Sequence, residues 1–394
     1  MKIVHLLRRG AWNGGVESYV LGLVARMRAE GQQVEILVET HDPSVDVNVT
    51  VAPEVFRSRQ GALATLQSVR PDIVHVHNLY DTNIVGAVQE KHCTVATCHG
   101  YQWICPAEDF YQHRGRNICD RTGGVGCIPI TLTKRCLSLR PAAAFRQLRR
   151  VAWASRNLEK FSLLIAPSAY TLKRYLEAGV PASLGMLLPY FCPEPPQPVP
   201  RPVPEKATIT FLGRVRDYKG YDIFVEVLAN LPGVRGIMAG DFNDGSRAHV
   251  HDLARQRGCL DRVDIRGWVG RDGLVQLMAE TSVFVFPSIW PETMGIVGVE
   301  AMAHGVPVVA FRVGGVGEWL QDNVTGMAVT PKDVPGMVTA IDKVLRSATL
   351  MRCMGEAALG LVASKFSYAA HVEQLNAGYA RARERFTSCV STRA

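Results

Sequence analysis

Short apolar runs recur along the chain, divided by stretches in which apolar residues return every three or four positions. Met1–Leu7 is the first run. Val20, Leu23, Val24 and Met27 then fall on one helical face. Gln33–Val38, Asp72–Asn78, Thr94–Cys98 and Leu163–Ser168 predict further strands, the last of these closing the first domain. Its final residue, Ser168, is placed to cap a helix over Tyr170–Ala178. The second half repeats the pattern at Thr208–Gly213, Gly236–Asp241, Val263–Val269, Ser282–Phe286 and Val308–Phe311. Strands that alternate with helical stretches imply an α/β fold with parallel sheets, and ligands gather at the carboxyl ends of such strands.

Between the halves lies PEPPQPVPRPVPE, whose prolines form a semi-rigid extended linker. The expected division is residues 1–191, a linker at 192–205, a second domain at 206–365 and a closing helix with a frayed tail at 366–394. A chain of 394 residues suits two domains.

The densest chemistry lies at Pro287–Ala310. An apolar run enters it, Pro287 and Pro291 break it, and Glu292 and Glu300 follow. Pro291 keeps Glu292 in a loop or first turn. Gly295 offers a side-chain-free approach at a helix start, where free N–H groups favour phosphate. Eight helical residues rise roughly 12 Å, so the two acids suit a ligand with phosphates in the middle and hydroxyls at both ends. The competing reading is a core helix with two exposed acids. Upstream, Arg214 ends a strand and Lys219-Gly220 follows one short loop later. Such a pair can clamp a diphosphate, or be two surface cations. Gly14-Gly15 precede a helix after the first strand, a second arrangement that receives phosphate. His77 and His99 each end a strand, where a histidine is either structural or part of a site.

Pro291-Glu292-Thr293-Met294-Gly295, followed by Glu300-Ala301-Met302-Ala303-His304-Gly305-Val306-Pro307, resembles the signature of the retaining nucleotide-sugar glycosyltransferases of family four, the group 1 glycosyl transferases. Gly213-Arg214…Lys219-Gly220 matches that family's diphosphate site, and Gly14-Gly15-Val16-Glu17 its Gly-Gly-x-Glu loop. The resemblance implies the GT-B architecture: two Rossmann-like domains facing across a cleft, the first binding the acceptor and the second the donor, with the last helix crossing back to the first. It implies donor contacts from Gly14, Gly15, Arg214, Lys219, Trp268, Val269, Glu292, Met294, Gly295, Ile296 and Glu300. It puts Glu17, His77 and Asn78 on the acceptor side. His99, Glu292, Arg214 and Lys219 are the implied catalytic set, with His99 beside the reacting sugar carbon. UDP or GDP is the expected carrier, with a saccharide or lipid-linked acceptor, and bacterial polysaccharide or lipopolysaccharide assembly as the setting. No catalytic metal is required, because cations and amides hold the leaving diphosphate and no Asp-x-Asp pair is seen. The chain departs from the family at Pro189-Tyr190-Phe191, where an Asn-Gly is common.

A formal charge of +8 and a pI near 9.0 suit an anionic partner. Basic residues from Lys134 to Lys160 interleave with Phe145, Leu148, Val151 and Trp153, predicting an amphipathic helix from Pro141. It either covers the core or docks on anionic lipid. No leader or membrane-spanning run is read, so a cytoplasmic protein, peripheral on the membrane face, is expected. Cys105, Cys119, Cys127 and Cys136 punctuate a glycine-rich insert over residues 100–140, which a structural zinc could clamp, although no Cys-x-x-Cys pair is present. The rivals are a nucleotide-sugar epimerase of the same fold, a basic metal-containing nucleic-acid-binding protein and a catalytically dead relative. Carboxylates in the predicted site oppose a nucleic acid.

Overall fold

The computed structural model describes residues 1–12, 14–138, 140–193 and 204–391. Most of the expected linker, residues 194–203, lies outside the described residues. The chain divides into two compact units. One holds Met1–Gly115, Cys119–Pro193 and Tyr368–Ala394, and the other holds Arg116–Ile118 and Glu194–Ser367.

In the first unit, β1 (Lys2–Gly10) leads through α1 (Gly15–Ala29) to β2 (Gln33–His41) and the short edge strand β3 (Thr50–Val51). Helices α2 (Pro53–Arg57) and α3 (Arg59–Val69) return the chain to β4 (Ile73–His77), and α4 (Thr82–Lys91) leads to β5 (Thr94–Thr97). The insert that follows carries the two-residue strands β6 (Tyr111–Gln112) and β7 (Asn117–Ile118), the latter in the three residues that belong to the other unit, then α5 (Ile128–Lys134) and α6 (Pro141–Asn157). Then come β8 (Leu163–Ala166), α7 (Ala169–Glu177) and β9 (Gly185–Leu187). The sheet order is β3-β2-β1-β4-β5-β8-β9, parallel at each pairing. Its apolar strands are buried, Ile3, Val4, Leu6 and Leu7 among them, because helices cover a parallel sheet on both faces. The strand at Leu163 stops at Ala166, and Ser168 leaves it to cap α7, accepting from the Thr171 amide at 3.1 Å. The first unit does not end its sheet there. The three-residue β9 adds an outer strand too short to show as an apolar run.

The second unit runs β10 (Thr208–Leu212), α8 (Tyr221–Ala229), β11 (Arg235–Ala239), α9 (Asp244–Gln256), β12 (Val263–Ile265), α10 (Arg271–Glu280) and β13 (Val283–Phe286). It continues with α11 (Ile296–Ala303), β14 (Val308–Phe311), β15 (Gly326–Val329), α12 (Val334–Leu345) and α13 (Ala348–Lys365). The parallel order is β12-β11-β10-β13-β14-β15. The strand expected over Val263–Val269 ends at Ile265, where Arg266 turns its guanidinium onto Glu280 at 2.7 Å and the rest becomes loop.

The final helix, α14 (Tyr368–Ser391), packs on β5 and β8 of the first unit. Gly378 permits this, since a Cβ there would sit 2.8 Å from Met186 Sδ. Among the described residues no helix is long and apolar enough to cross a membrane.

Each sheet reverses its strand order once, between β1 and β4 and between β10 and β13. Loops leaving adjacent strands at such a point diverge to opposite faces and open a crevice. These two points gather most of the residues singled out above.

Candidate active site

In the second unit, β10 delivers Gly213 and Arg214, and β13 delivers the loop from Pro287 to Gly295. The chain returns to this loop after β10: the Ile289 amide donates to Tyr218 O at 2.9 Å. Gly220, at φ +73°, lies so close that a Cβ would meet Pro287 O at 2.0 Å. This contact brings Lys219 to Glu292. Lys219 Nζ donates to Glu292 Oε1 at 2.6 Å, and Ser288 Oγ donates to the same oxygen at 2.7 Å. The ammonium also lies 4.7 Å from the centre of the Trp290 ring. The Glu292 side chain is 4% exposed and that of Lys219 19%. The Glu292 main chain is pinned as well, its carbonyl accepting from the Gly315 amide at 2.6 Å.

Gly295 precedes α11 at φ +84°, and no side chain caps that helix. Its first turn therefore presents a positive end without a side-chain acceptor. Trp319, fully buried, donates from Nε1 to Met294 O at 2.6 Å and lies against Gly298, whose Cβ would be 2.4 Å from the ring. Glu300, half-buried, follows on the same helix, as does half-buried Ile296. Met294, expected among the donor contacts, is wholly buried and its carbonyl is taken by Trp319. Arg214 is exposed, and among the described residues its guanidinium makes no ion pair. Trp268 is 57% exposed on the loop after β12, next to half-buried Val269.

In the first unit, β1 ends at Gly10 and Gly14 precedes α1 in extended conformation. A Cβ on Gly14 would sit 2.4 Å from Glu17 Oε2, so that carboxylate folds back over the helix start. Gly15 beside it is exposed. Asn78, just after β4, takes φ +49° and accepts from Tyr80 Oη at 2.9 Å.

Under this rim lies a buried array of histidines. His5 Nδ1 is 2.9 Å from His77 Nε2, His77 Nδ1 is 2.8 Å from His99 Nε2, and His99 Nδ1 is 2.6 Å from Tyr190 Oη. His75 bridges Tyr379 Oη at 2.7 Å and Thr97 Oγ1 at 2.8 Å. His371 bridges Tyr19 Oη at 2.9 Å and Pro189 O at 2.8 Å. Burial holds these rings neutral. It lowers His99 to about 3; burial and then the Arg28 charge lower His5 to about 3; burial lowers His371 to about 4. His75 and His77 lie well below the usual range, from burial and then from neighbouring histidines. Both nitrogens of His77 and of His99 thus have protein partners. Sequence reading singled out these two and missed His5 and Tyr190. The register that pairs His5 with His75 across β1 and β4 appears only once the strands are aligned.

The four cysteines of the insert are not gathered as a zinc site. Among the described residues the one group of three or more candidate ligands is His5, His75 and His77. Burial pushes the Cys105 thiol up to about 12. The ring nitrogens of those three histidines are engaged in the hydrogen bonds above, save His5 Nε2.

Comparison with known proteins agrees with this architecture. The family model described as glycosyl transferase 4-like domain matches residues 14–190, and that described as glycosyl transferases group 1 matches residues 197–360. D-inositol 3-phosphate glycosyltransferase of Mycobacterium marinum is 35% identical over 189 residues, 47% of this chain and 40% of that protein. Alpha-D-kanosaminyltransferase of Streptomyces kanamyceticus is 32% identical over 176 residues, 43% of this chain and 45% of that protein. The matched stretch thus spans less than half the length of these curated relatives. Among solved structures, sucrose-phosphate synthase from Thermosynechococcus elongatus superposes with a TM-score of 0.74 at 19% identity, covering 98% of this chain and 100% of that one. Anabaena HepE in complex with UDP and glucose gives 0.71 at 20% identity, covering 95% and 98%. At such identities these likenesses speak for the fold, which is that of GT-B glycosyltransferases.

Proposed function

Since the chain belongs to the group 1, family-4-like glycosyl transferases, we propose that it moves a hexosyl group from a nucleoside diphosphate to a hydroxyl acceptor with retention at the anomeric carbon. The observation that carries this reading is the Lys219–Glu292 pair beside the uncapped start of α11, with Glu300 further along that helix. Breaking the anomeric carbon–oxygen bond builds positive charge on the sugar and negative charge on the diphosphate. Arg214, Lys219 and the amides after Gly295 supply fixed positive charge to the leaving group, usually the largest catalytic contribution. Glu300 takes the ribose hydroxyls, and Glu292 takes hydroxyls of the transferred sugar. Trp268 and Val269 meet the base. We assign Gly14 and Gly15 to the diphosphate, and Glu17 and Asn78 to the acceptor side. His99 faces the sugar. A substrate hydroxyl that replaced Tyr190 at Nδ1 would leave the His77 bond intact.

We assign no side chain as a covalent nucleophile. The acceptor oxygen attacks from the leaving-group face, and the departing phosphate takes its proton. UDP is the favoured carrier, as HepE binds UDP. A polyol or saccharide acceptor fits relatives named for inositol phosphate and for an amino sugar product. Polysaccharide or lipopolysaccharide assembly is the proposed setting. Phe145 on α6 is 65% exposed, and Arg140 just before that helix and Arg156 near its end are exposed too, which supports peripheral contact with anionic lipid. Absence of pelleting with anionic vesicles at low salt refutes that contact.

Thermal stabilisation by UDP, GDP and ADP, with Glu300→Ala alongside, tests the main reading. A ligand that binds only the folded state must raise its stability. A shift with one nucleotide that is lost in the variant is expected. No shift with any of them overturns the assignment of the donor site.

A further inference from the structure

On the first unit, a cavity of about 390 Å³ lies between the start of α4 and the flank of α6. Tyr80, Asn83, Glu108, Arg146, Gln147 and Arg149 contribute to its wall. The volume is in the range of small-ligand pockets, about 300–1,000 Å³.

Two charged groups of the wall already have structural work. Asp81 Oδ1 caps α4, accepting from the Asn83 and Ile84 amides at 2.9 and 3.1 Å, so the helix start is not an open anion site. Arg150 is held by Glu108 Oε1 at 2.6 Å and by the Gln102 carbonyl at 2.8 Å, and so fastens the loop of residues 102–108 to α6. The remaining charges are unmatched. Arg146 and Arg149 stand three residues apart on α6, both exposed, and neither makes a hydrogen bond or ion pair among the described residues. Gln147 between them has its Oε1 buried without a partner. A buried acceptor left unmatched is costly, and a ligand hydroxyl would relieve it.

From this convergence we infer that the cavity binds a polyol carrying a phosphate, the anion on Arg146 and Arg149 and a hydroxyl on Gln147 Oε1. Two guanidiniums one turn apart suit the three oxygens of a phosphate monoester. Asp81 and Glu108 in the same wall oppose a long polyanion, which limits the ligand to one anionic group. The inference rests on the glycosyl-transfer reading and names its acceptor class, either a soluble sugar phosphate or the same chemistry at the head of a lipid.

Calorimetric titration of the full chain with glucose 6-phosphate, glucose and inorganic phosphate separates the contributions. Glucose 6-phosphate should bind more tightly than either fragment. Arg146→Ala with Arg149→Ala should weaken it at least roughly tenfold, two charge-assisted bonds being lost. Both side chains are exposed, so folding survives the change. Gln147→Leu should weaken glucose 6-phosphate and leave inorganic phosphate unaffected. Sedimentation with phosphatidylinositol vesicles tests the lipid source. Binding to vesicles alone, lost in the double variant, supports the site with a lipid-borne ligand. Failure of both probes, or binding unchanged in the double variant, overturns it. The wild-type UDP and GDP thermal shifts are measured alongside. A nucleotide shift without polyol phosphate binding removes this site and leaves the donor reading standing. Loss of both removes the donor reading too.

Discussion

Mild acid should unfold this protein, and the cause lies in its first unit. His5, His75, His77, His99 and His371 are buried and neutral in the folded chain. Unfolding exposes them to water, where a histidine titrates near 6.5. Between that value and the lowered folded values, near 3 to 4 for His5, His99 and His371, the unfolded state binds more protons than the folded state. Stability therefore rises with pH across this window and falls as pH drops below about 6.5. At pH 5.5 each such histidine costs on the order of 1 kcal/mol relative to pH 7.5, or several kcal/mol for the five together. That is comparable to the whole stability of a domain, about 5–15 kcal/mol. Carboxylates add little there, because their reference values lie near 4.

The assay is urea denaturation from pH 7.5 to pH 5, with proton uptake on unfolding taken from the slope of free energy against pH. Between four and five protons should be taken up at pH 5.5, roughly nine-tenths of a proton per histidine. Uptake of one proton or fewer refutes the neutral array, and with it the claim that His99 works as an uncharged ring.

The second site yields further tests. Lys219→Ala or Glu292→Gln alone leaves a charge without its partner, and each should cost about 3 kcal/mol or more; the double variant should recover stability, with a coupling of at least about 1 kcal/mol, and remain inactive. Full stability in either single variant counts against the pair. Lys219→Ala should also cut turnover by on the order of a hundredfold, and a donor assay with undiminished rate would remove it from the catalytic set. Gly314→Ala puts a Cβ 2.2 Å from Glu292 O at φ +51°, and should cost more than about 1 kcal/mol and displace Glu292; unchanged stability and activity would contradict the close packing. Nuclear magnetic resonance of the product should show the donor's anomeric configuration, and the inverted anomer would exclude front-face attack.

The sheets were legible because parallel strands buried on both faces leave apolar runs, as at Val283–Phe286 and Val308–Phe311. Among the strands that were missed, β3, β9 and β15 have two, three and four residues at sheet edges, too few to set a period. Glu292 and Lys219 were each legible from local chemistry. Their contact was not, since 73 residues separate them and only the neighbouring of β10 and β13 brings their loops together. The cysteines erred in the other direction. Four thiols in a glycine-rich insert with little to make a core suggest a common ligand, but the sequence carries no information on where the sulfurs point. Tyr190 was noted only as a departure from the family pattern, yet it is the partner of His99.

The departure at Tyr190 gains meaning from the order of protons in the array. His5, His77 and His99 are neutral, so each ring carries one N–H and each bond between rings holds one proton. Reversing one bond reverses the rest, and the series has only two arrangements. In one, His5 Nε2 is an N–H buried without an acceptor; in the other it is a bare lone pair. Orphaned buried donors are rarer than under-used acceptors, and the Arg28 charge that lowers the His5 pKa disfavours a further positive edge on that ring. The second arrangement follows. His5 donates to His77, His77 donates to His99, and His99 Nδ1–H donates to Tyr190 Oη. A tyrosine hydroxyl accepts such a bond as a sugar hydroxyl would. A residue in the core of β1 thereby fixes which nitrogen of His99 carries the hydrogen just beyond the carboxyl end of β5.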